Sequence, residues 1–111
     1  METNILFTDI VGYSKLTGND QSLALELLNE HDKIIEPIIA RYKGTIVKRI
    51  GDAIVATFDD TSNMIQTSIE VQQSLKNRNN RNIQSRQLVL RIGLHCGEVF
   101  IQDNEVYGKG Y

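Results

Sequence analysis

The chain has 111 residues, 41% hydrophobic and 23% charged, with a formal net charge of -2. That length holds one domain with a modest two-layer core, and the charge offers no particular attraction to nucleic acid or to an anionic membrane. A single cysteine, Cys96, excludes an internal disulfide, and no apolar run approaches the roughly 20 residues of a membrane span, so a soluble, cytoplasmic protein is expected.

The first element is "NILFTDIVGYS". Ile5 to Val11 is short, apolar and β-branched and stops at Gly12, which predicts a central strand. Asp9 sits in its middle. An ionised carboxylate without a partner is expensive to bury, so Asp9 must cap, pair with a cation, or stand at a strand end beside a ligand. Asp20 then caps a helix on which Leu23, Leu27, Leu28, Ile34, Ile35, Ile38, Ile39 and Tyr42 recur at helical spacing. Pro37 lies inside this helix and predicts a kink, and Gly44 ends it. His31 belongs to the face of the same helix.

"GTIVKRIGDAIVATF" predicts a hairpin turning at Gly51-Asp52. Asp60 to about Leu75 predicts a second amphipathic helix, with Met64, Ile65, Ser68, Ile69 and Leu75 as its apolar face. "NRNNRNIQSRQ" reads as a solvated polar loop. "LVLRIGLHCGEVFIQ" is a strand interrupted or turned near Gly97, and "DNEVYGKGY" closes the chain. Cys96 is expected to be a small buried side chain, and His95 a hydrogen-bonded structural histidine.

The order β-α-β-β-α-β is the ferredoxin-like pattern, an α+β fold with helices on one face of the sheet. If the first strand runs up, the first helix returns the chain and the second strand runs up again. The Gly51-Asp52 turn then lies at the carboxyl end of the first strand, so Asp9 and Asp52 can meet. Two carboxylates about 4 Å apart repel by about 4 kcal/mol at an effective dielectric near 20, unless one is protonated or a cation lies between them. Carboxylate oxygens suit Mg²⁺ or Mn²⁺, and "IVGYS" offers backbone N–H groups beside a glycine for phosphates. Together these features point to phosphoryl or nucleotidyl transfer. Singly, each has a plainer reading: Asp52 as a turn residue, Asp9 as a cap.

Four stretches, "ILFTDIVGYS", "GTIVKRIGDAIVATF", "LRIGLHCGEV" and "NEVYGKG", resemble in order and spacing the catalytic domain of class III adenylyl and guanylyl cyclases. The resemblance covers residues 1–111 as a single, partial catalytic domain. It implies that Asp9 and Asp52 bind two divalent ions, Mg²⁺ or Mn²⁺, with the Ile10 carbonyl as a further ligand. It places Gly12, Tyr13 and Ser14 along the triphosphate, Ser14 standing where threonine is more usual, and Arg91 at a phosphate. Lys48 and Glu105 correspond to the pair that reads the purine, Glu105 falling where adenylyl cyclases usually carry Asp or Thr.

Along an extended strand Lys48 and Asp52 are about 13 Å apart, at roughly 3.3 Å per residue, too far for one chain to place both easily on one nucleotide. The family solves this with a two-fold homodimer whose sites lie at the interface. The implied reaction is attack of the ribose 3′-hydroxyl of ATP on the α-phosphorus, giving 3′,5′-cyclic AMP and pyrophosphate. In the family a "YGxxVN" segment leads to an Asn and, four residues on, an Arg that orient the ribose and the transition state. "YGKGY" reaches Tyr111 one position before that Asn, so residues 1–111 are expected to be weak or inactive alone. The competing expectation is a cyclase-like module that binds nucleotide or dimerises without turnover. The Gly-Gly-Asp/Glu-Glu-Phe hairpin of diguanylate cyclases is absent from the sequence, as are the strand aromatics and basic face of an RNA-binding module.

Overall fold

The structure, a computed structural model, describes the backbone of residues 2–102 and 105–108 and the side chains of residues 3–97. The elements run β1 (Glu2–Ile10), α1 (Tyr13–Asn19), α2 (Gln21–Arg41), β2 (Thr45–Ile50), β3 (Ala53–Phe58), α3 (Thr61–Asn79), a 3-10 turn at Gln84–Arg86, β4 (Leu90–Gln102) and β5 (Glu105–Gly108). The sheet order is β2-β3-β1-β4-β5, and every adjacent pair is antiparallel. Its first four strands are the ferredoxin-like arrangement, and β5 extends it along the carboxyl half of β4.

The side chains explain the layers. Leu6 and Ile10 of β1, Ile54, Ala56 and Phe58 of β3, and Leu90 of β4 form one buried cluster with Leu27, Ile35, Ile38 and Ile39 of α2 and Met64, Val71 and Leu75 of α3. On the other face Ile5 and Val55 are buried, with the half-buried Phe7 and Val47 packed against them, and among the described residues no helical side chain joins this cluster. Both long helices begin on an aspartate. The Asp20 carboxylate accepts from Leu23 N–H at 3.0 Å and the Asp60 carboxylate from Asn63 N–H at 3.1 Å. No helix among the described residues is long and apolar enough to cross a membrane.

Several local expectations are corrected. The first strand runs Glu2–Ile10 rather than Ile5 to Val11, and a further short helix, α1, follows Gly12. α2 contains Pro37, but the left-handed residue after it is Lys43, at φ 63, and not Gly44. Gly44 serves close packing instead: a Cβ there would lie 2.5 Å from the Phe58 ring and 2.7 Å from Ile39. Both neighbours are almost fully buried and cannot swing aside. Gly44→Ala is therefore expected to destabilise the fold by about 1–3 kcal/mol, read as a lower urea midpoint with an unchanged slope.

On α3 the buried stripe is Met64, Thr67, Val71, Leu75 and Arg78, while Ile65 and Ile69 are exposed. The stretch expected to be a solvated loop is partly built into the fold: Asn77 to Asn79 belong to α3, and Arg78 and Arg86 are paired, while Arg81, Ile83 and Gln84 are exposed. Arg78 donates from Nε to Glu30 at 2.8 Å and from Nη1 to the Arg86 carbonyl at 2.7 Å, and Arg86 pairs with Glu26 at 2.8 Å. The Asn79 side chain clasps both backbone groups of Leu88. These arginines bind the connection to α2. β4 passes through Gly97 unbroken, and Cys96 is exposed rather than buried. His31 is fully buried and bonds Asp32 through Nδ1 at 2.9 Å.

Candidate active site

Asp9 lies one residue before the end of β1, and the Gly51-Asp52 turn lies at the same end of the sheet. The β1–β3 register runs to Thr8↔Ile54, and two further residues along each strand bring Ile10 opposite Asp52. There the backbone ladder gives way to a side chain: Ile10 N–H donates to Asp52 Oδ2 at 2.6 Å. Gly51, at φ 56, supplies the left-handed conformation the turn requires. The bond to Ile10 holds the Asp52 carboxylate beside the strand that carries Asp9.

The β1–β4 register places Arg91 directly across from Asp9. Its guanidinium grips the carboxylate in a fork, Nε to Oδ1 at 2.9 Å and Nη2 to Oδ2 at 3.2 Å. The hydrogen bond to Asp9 and the charge of Asp9, with a smaller contribution from the charge of Asp52, raise the Arg91 pKa above its ordinary value. Beyond β1 the chain turns at Gly12, whose φ of 77 again favours glycine, and enters α1 at Tyr13.

A single cavity is lined by Asp9, Ile10, Gly12, Tyr13, Ser14, Lys15, Asp52 and Arg91. Seven of the nine residues singled out from the sequence thus share one wall-to-wall space. Lys15 is an addition: it follows Ser14 on the first turn of α1, and α1 itself was not expected. The four charged side chains of the cavity cancel, Asp9 and Asp52 against Lys15 and Arg91.

Lys48 lies elsewhere, in a hollow formed by Ile46, Val47, Lys48 and Arg49. A β-bulge decides its direction. Ile46 pairs with Ala56, but Lys48 pairs with Val55, leaving Val47 as the extra residue. Simple alternation from Ile46 would put Lys48 on the helical face; the bulge moves it to the register position of Val55, the face that also carries Phe7 and Asp9. Arg49 then turns to α2, where it pairs with Asp32 and Glu36. Glu105 begins β5, but its side chain lies outside the described residues.

The family model described as the adenylate and guanylate cyclase catalytic domain matches residues 1–108. The chain belongs to that family. An adenylate cyclase of Anabaena cylindrica is 34% identical over 104 residues, covering 86% of the chain and 21% of the relative. The receptor-type guanylate cyclase gcy-28 of Caenorhabditis elegans is 33% identical over 103 residues, covering 86% of the chain and 8% of the relative. Among solved structures, an adenylate/guanylate cyclase/hydrolase from Silicibacter pomeroyi superposes with a TM-score of 0.87 at 28% identity, over 98% of the chain and 64% of that protein. The chain therefore spans a small part of these curated relatives and under two thirds of the solved one. The ferredoxin-like α+β architecture is that of cyclase catalytic domains, and the members matched carry both adenylate and guanylate names.

The cavity suits a divalent ion on the chemistry of its donors. Two carboxylates and the Ile10 main chain supply hard oxygen atoms, and a cation already stands at Asp9 in the form of the Arg91 guanidinium. Among the described residues no third His, Cys, Asp or Glu joins the pair. Two protein carboxylates with the remaining positions left to phosphate and water oxygens is how Mg²⁺ is usually held.

Proposed function

We propose that residues 1–111 form the metal- and phosphate-binding part of a single nucleotidyl cyclase domain that converts ATP to 3′,5′-cyclic AMP and pyrophosphate. The observation that carries this reading is the meeting of Asp9 and Asp52 at one sheet end, in the same cavity as the Gly12–Ser14 turn and Arg91. Asp9, Asp52 and the Ile10 carbonyl would hold two ions, Mg²⁺ or Mn²⁺. When bound, these supply Lewis acidity at the 3′-oxygen and neutralise charge around the phosphates. The chain's own groups do the rest. Backbone N–H groups at Gly12, Tyr13 and Ser14, with the Ser14 hydroxyl, orient the triphosphate, and Arg91 and Lys15 offer cations to its outer oxygens. The 3′-oxygen bonds to the α-phosphorus, its proton passes to water, and the bond from the α-phosphorus to the pyrophosphate oxygen breaks. No side chain of the cavity needs to act as a strong base.

The separation of Lys48 from the carboxylate cavity supports a site shared between two chains. One protomer would give Asp9 and Asp52, its partner Lys48 and Glu105, with the helix-free sheet face turned inward. A two-fold homodimer is accordingly expected in sedimentation at high micromolar concentration. A monomer under those conditions would contradict the shared site.

Base choice follows from donor and acceptor patterns. Lys48 can only donate and ionised Glu105 only accept, which matches N1 and the N6 amine of adenine and clashes with N1–H and O6 of guanine. Each mismatched buried group costs about 1–3 kcal/mol, or about tenfold or more in selectivity. In a chain that carries the family's Asn and Arg, ATP is expected to be preferred, and Lys48→Glu with Glu105→Cys is expected to move the preference towards GTP. Competition assays with both nucleotides read this directly, and equal or better use of GTP by the unsubstituted protein would refute the assignment.

A further inference from the structure

The fork between Arg91 and Asp9 bears on how the cavity fills. Arg91 covers both oxygens of Asp9, yet its own side chain is 72% exposed and that of Asp9 is 40% exposed. The pair is thus reachable by water and by ions, and an exposed ion pair of this kind is weak enough to exchange. Asp52 is held differently, by a backbone N–H that belongs to the strand itself and has nowhere else to go. Of the two carboxylates, one is fixed to the fold and one is covered by a movable cation. That cation offsets the repulsion that two neighbouring carboxylates would otherwise exert.

We propose that Arg91 is an exchangeable counter-cation: it closes Asp9, yields the carboxylate to an incoming divalent ion, and is thereby freed for the phosphate oxygens of the nucleotide. The inference rests on the two-carboxylate reading above and adds an order to it, since the guanidinium cannot engage phosphate fully while both its forked N–H groups serve Asp9. Metal and triphosphate are then taken up in a coupled way, each favouring the other through one side chain. The fork matters as well as the charge, because lysine offers a point charge without the paired N–H geometry.

The test titrates Mn²⁺ alone into the chain, into Arg91→Ala and into Arg91→Lys, following the paramagnetic resonance signal of the free ion. The same three proteins are then titrated with Mn²⁺ and the α,β-methylene analogue of ATP. Arg91→Ala is expected to bind Mn²⁺ alone about two- to fivefold more tightly, the range set by an exposed ion pair. It is expected to bind the analogue about tenfold or more weakly, as for loss of a charged hydrogen bond. Arg91→Lys should show the same tightening to a smaller degree, and carries the test should the alanine variant not match the unsubstituted chain by circular dichroism. A merely structural arginine would not move the two affinities in opposite directions. If the unsubstituted chain takes up Mn²⁺ with the analogue while neither variant binds Mn²⁺ alone more tightly, the exchange is wrong and the two-carboxylate site stands. If none of the three proteins takes up Mn²⁺ under either condition, the site itself is refuted and the exchange with it.

Discussion

Asp52→Asn is expected to weaken binding of Mn²⁺ with an ATP analogue by about a hundredfold or more, while leaving the fold intact. Removal of a group that only orients a metal ligand commonly lowers affinity 10- to 100-fold, so loss of a ligand itself belongs at or beyond the upper end of about that range. The amide keeps an oxygen that can still accept from Ile10 N–H, the bond that ties the Gly51-Asp52 turn to β1. Circular dichroism and thermal unfolding should therefore change little, which separates loss of the site from loss of structure. Calorimetric titration of both proteins measures the effect. Overlapping curves would mean that the turn carboxylate has no part in binding.

The second large effect concerns the Asn and Arg that the family places after the "YG" segment. Residues 1–111 followed by a segment bearing both are expected to form cyclic nucleotide at least about 10²- to 10³-fold faster than residues 1–111 alone, since one preorganised donor is typically worth about that much and two are worth more. Dimerisation and nucleotide affinity should change far less, because Asp9, Asp52, Arg91 and the Gly12–Ser14 turn are present in both. A chain of 111 residues that turned over as fast as the longer one would show that the cavity performs the reaction without those groups.

The meeting of Asp9 and Asp52 was legible in the sequence because strand direction follows from element order alone. One helix between two strands brings the hairpin turn to the end where β1 finishes, whatever the details of packing. What was not legible depended on local departures from periodicity. The extra residue at Val47 turns Lys48 onto the helix-free face, and nothing in "TIVKRI" marks a bulge. The buried stripe of α3 includes Thr67, which satisfies its hydroxyl on the Asn63 carbonyl at 2.8 Å, and Arg78, which is paired with Glu30. A reading by hydropathy chose Ile65 and Ile69 instead, and both are exposed. Lys15 reaches the cavity only because a helix starts after Gly12 and brings the residue after Ser14 to the wall, and no spacing in the sequence marks that short helix. The fork between Arg91 and Asp9 needed the β1–β4 register, which element order does not supply.

The most direct measurement is the identity of the product. A chain extended through the Asn and Arg, incubated with ATP and Mn²⁺ and followed by ³¹P magnetic resonance, is expected to yield 3′,5′-cyclic AMP and pyrophosphate in equal amounts, with none formed by Asp9→Asn or Asp52→Asn. Release of inorganic phosphate with ADP, or cyclic product undiminished in both aspartate variants, would contradict a cyclase site built on Asp9 and Asp52.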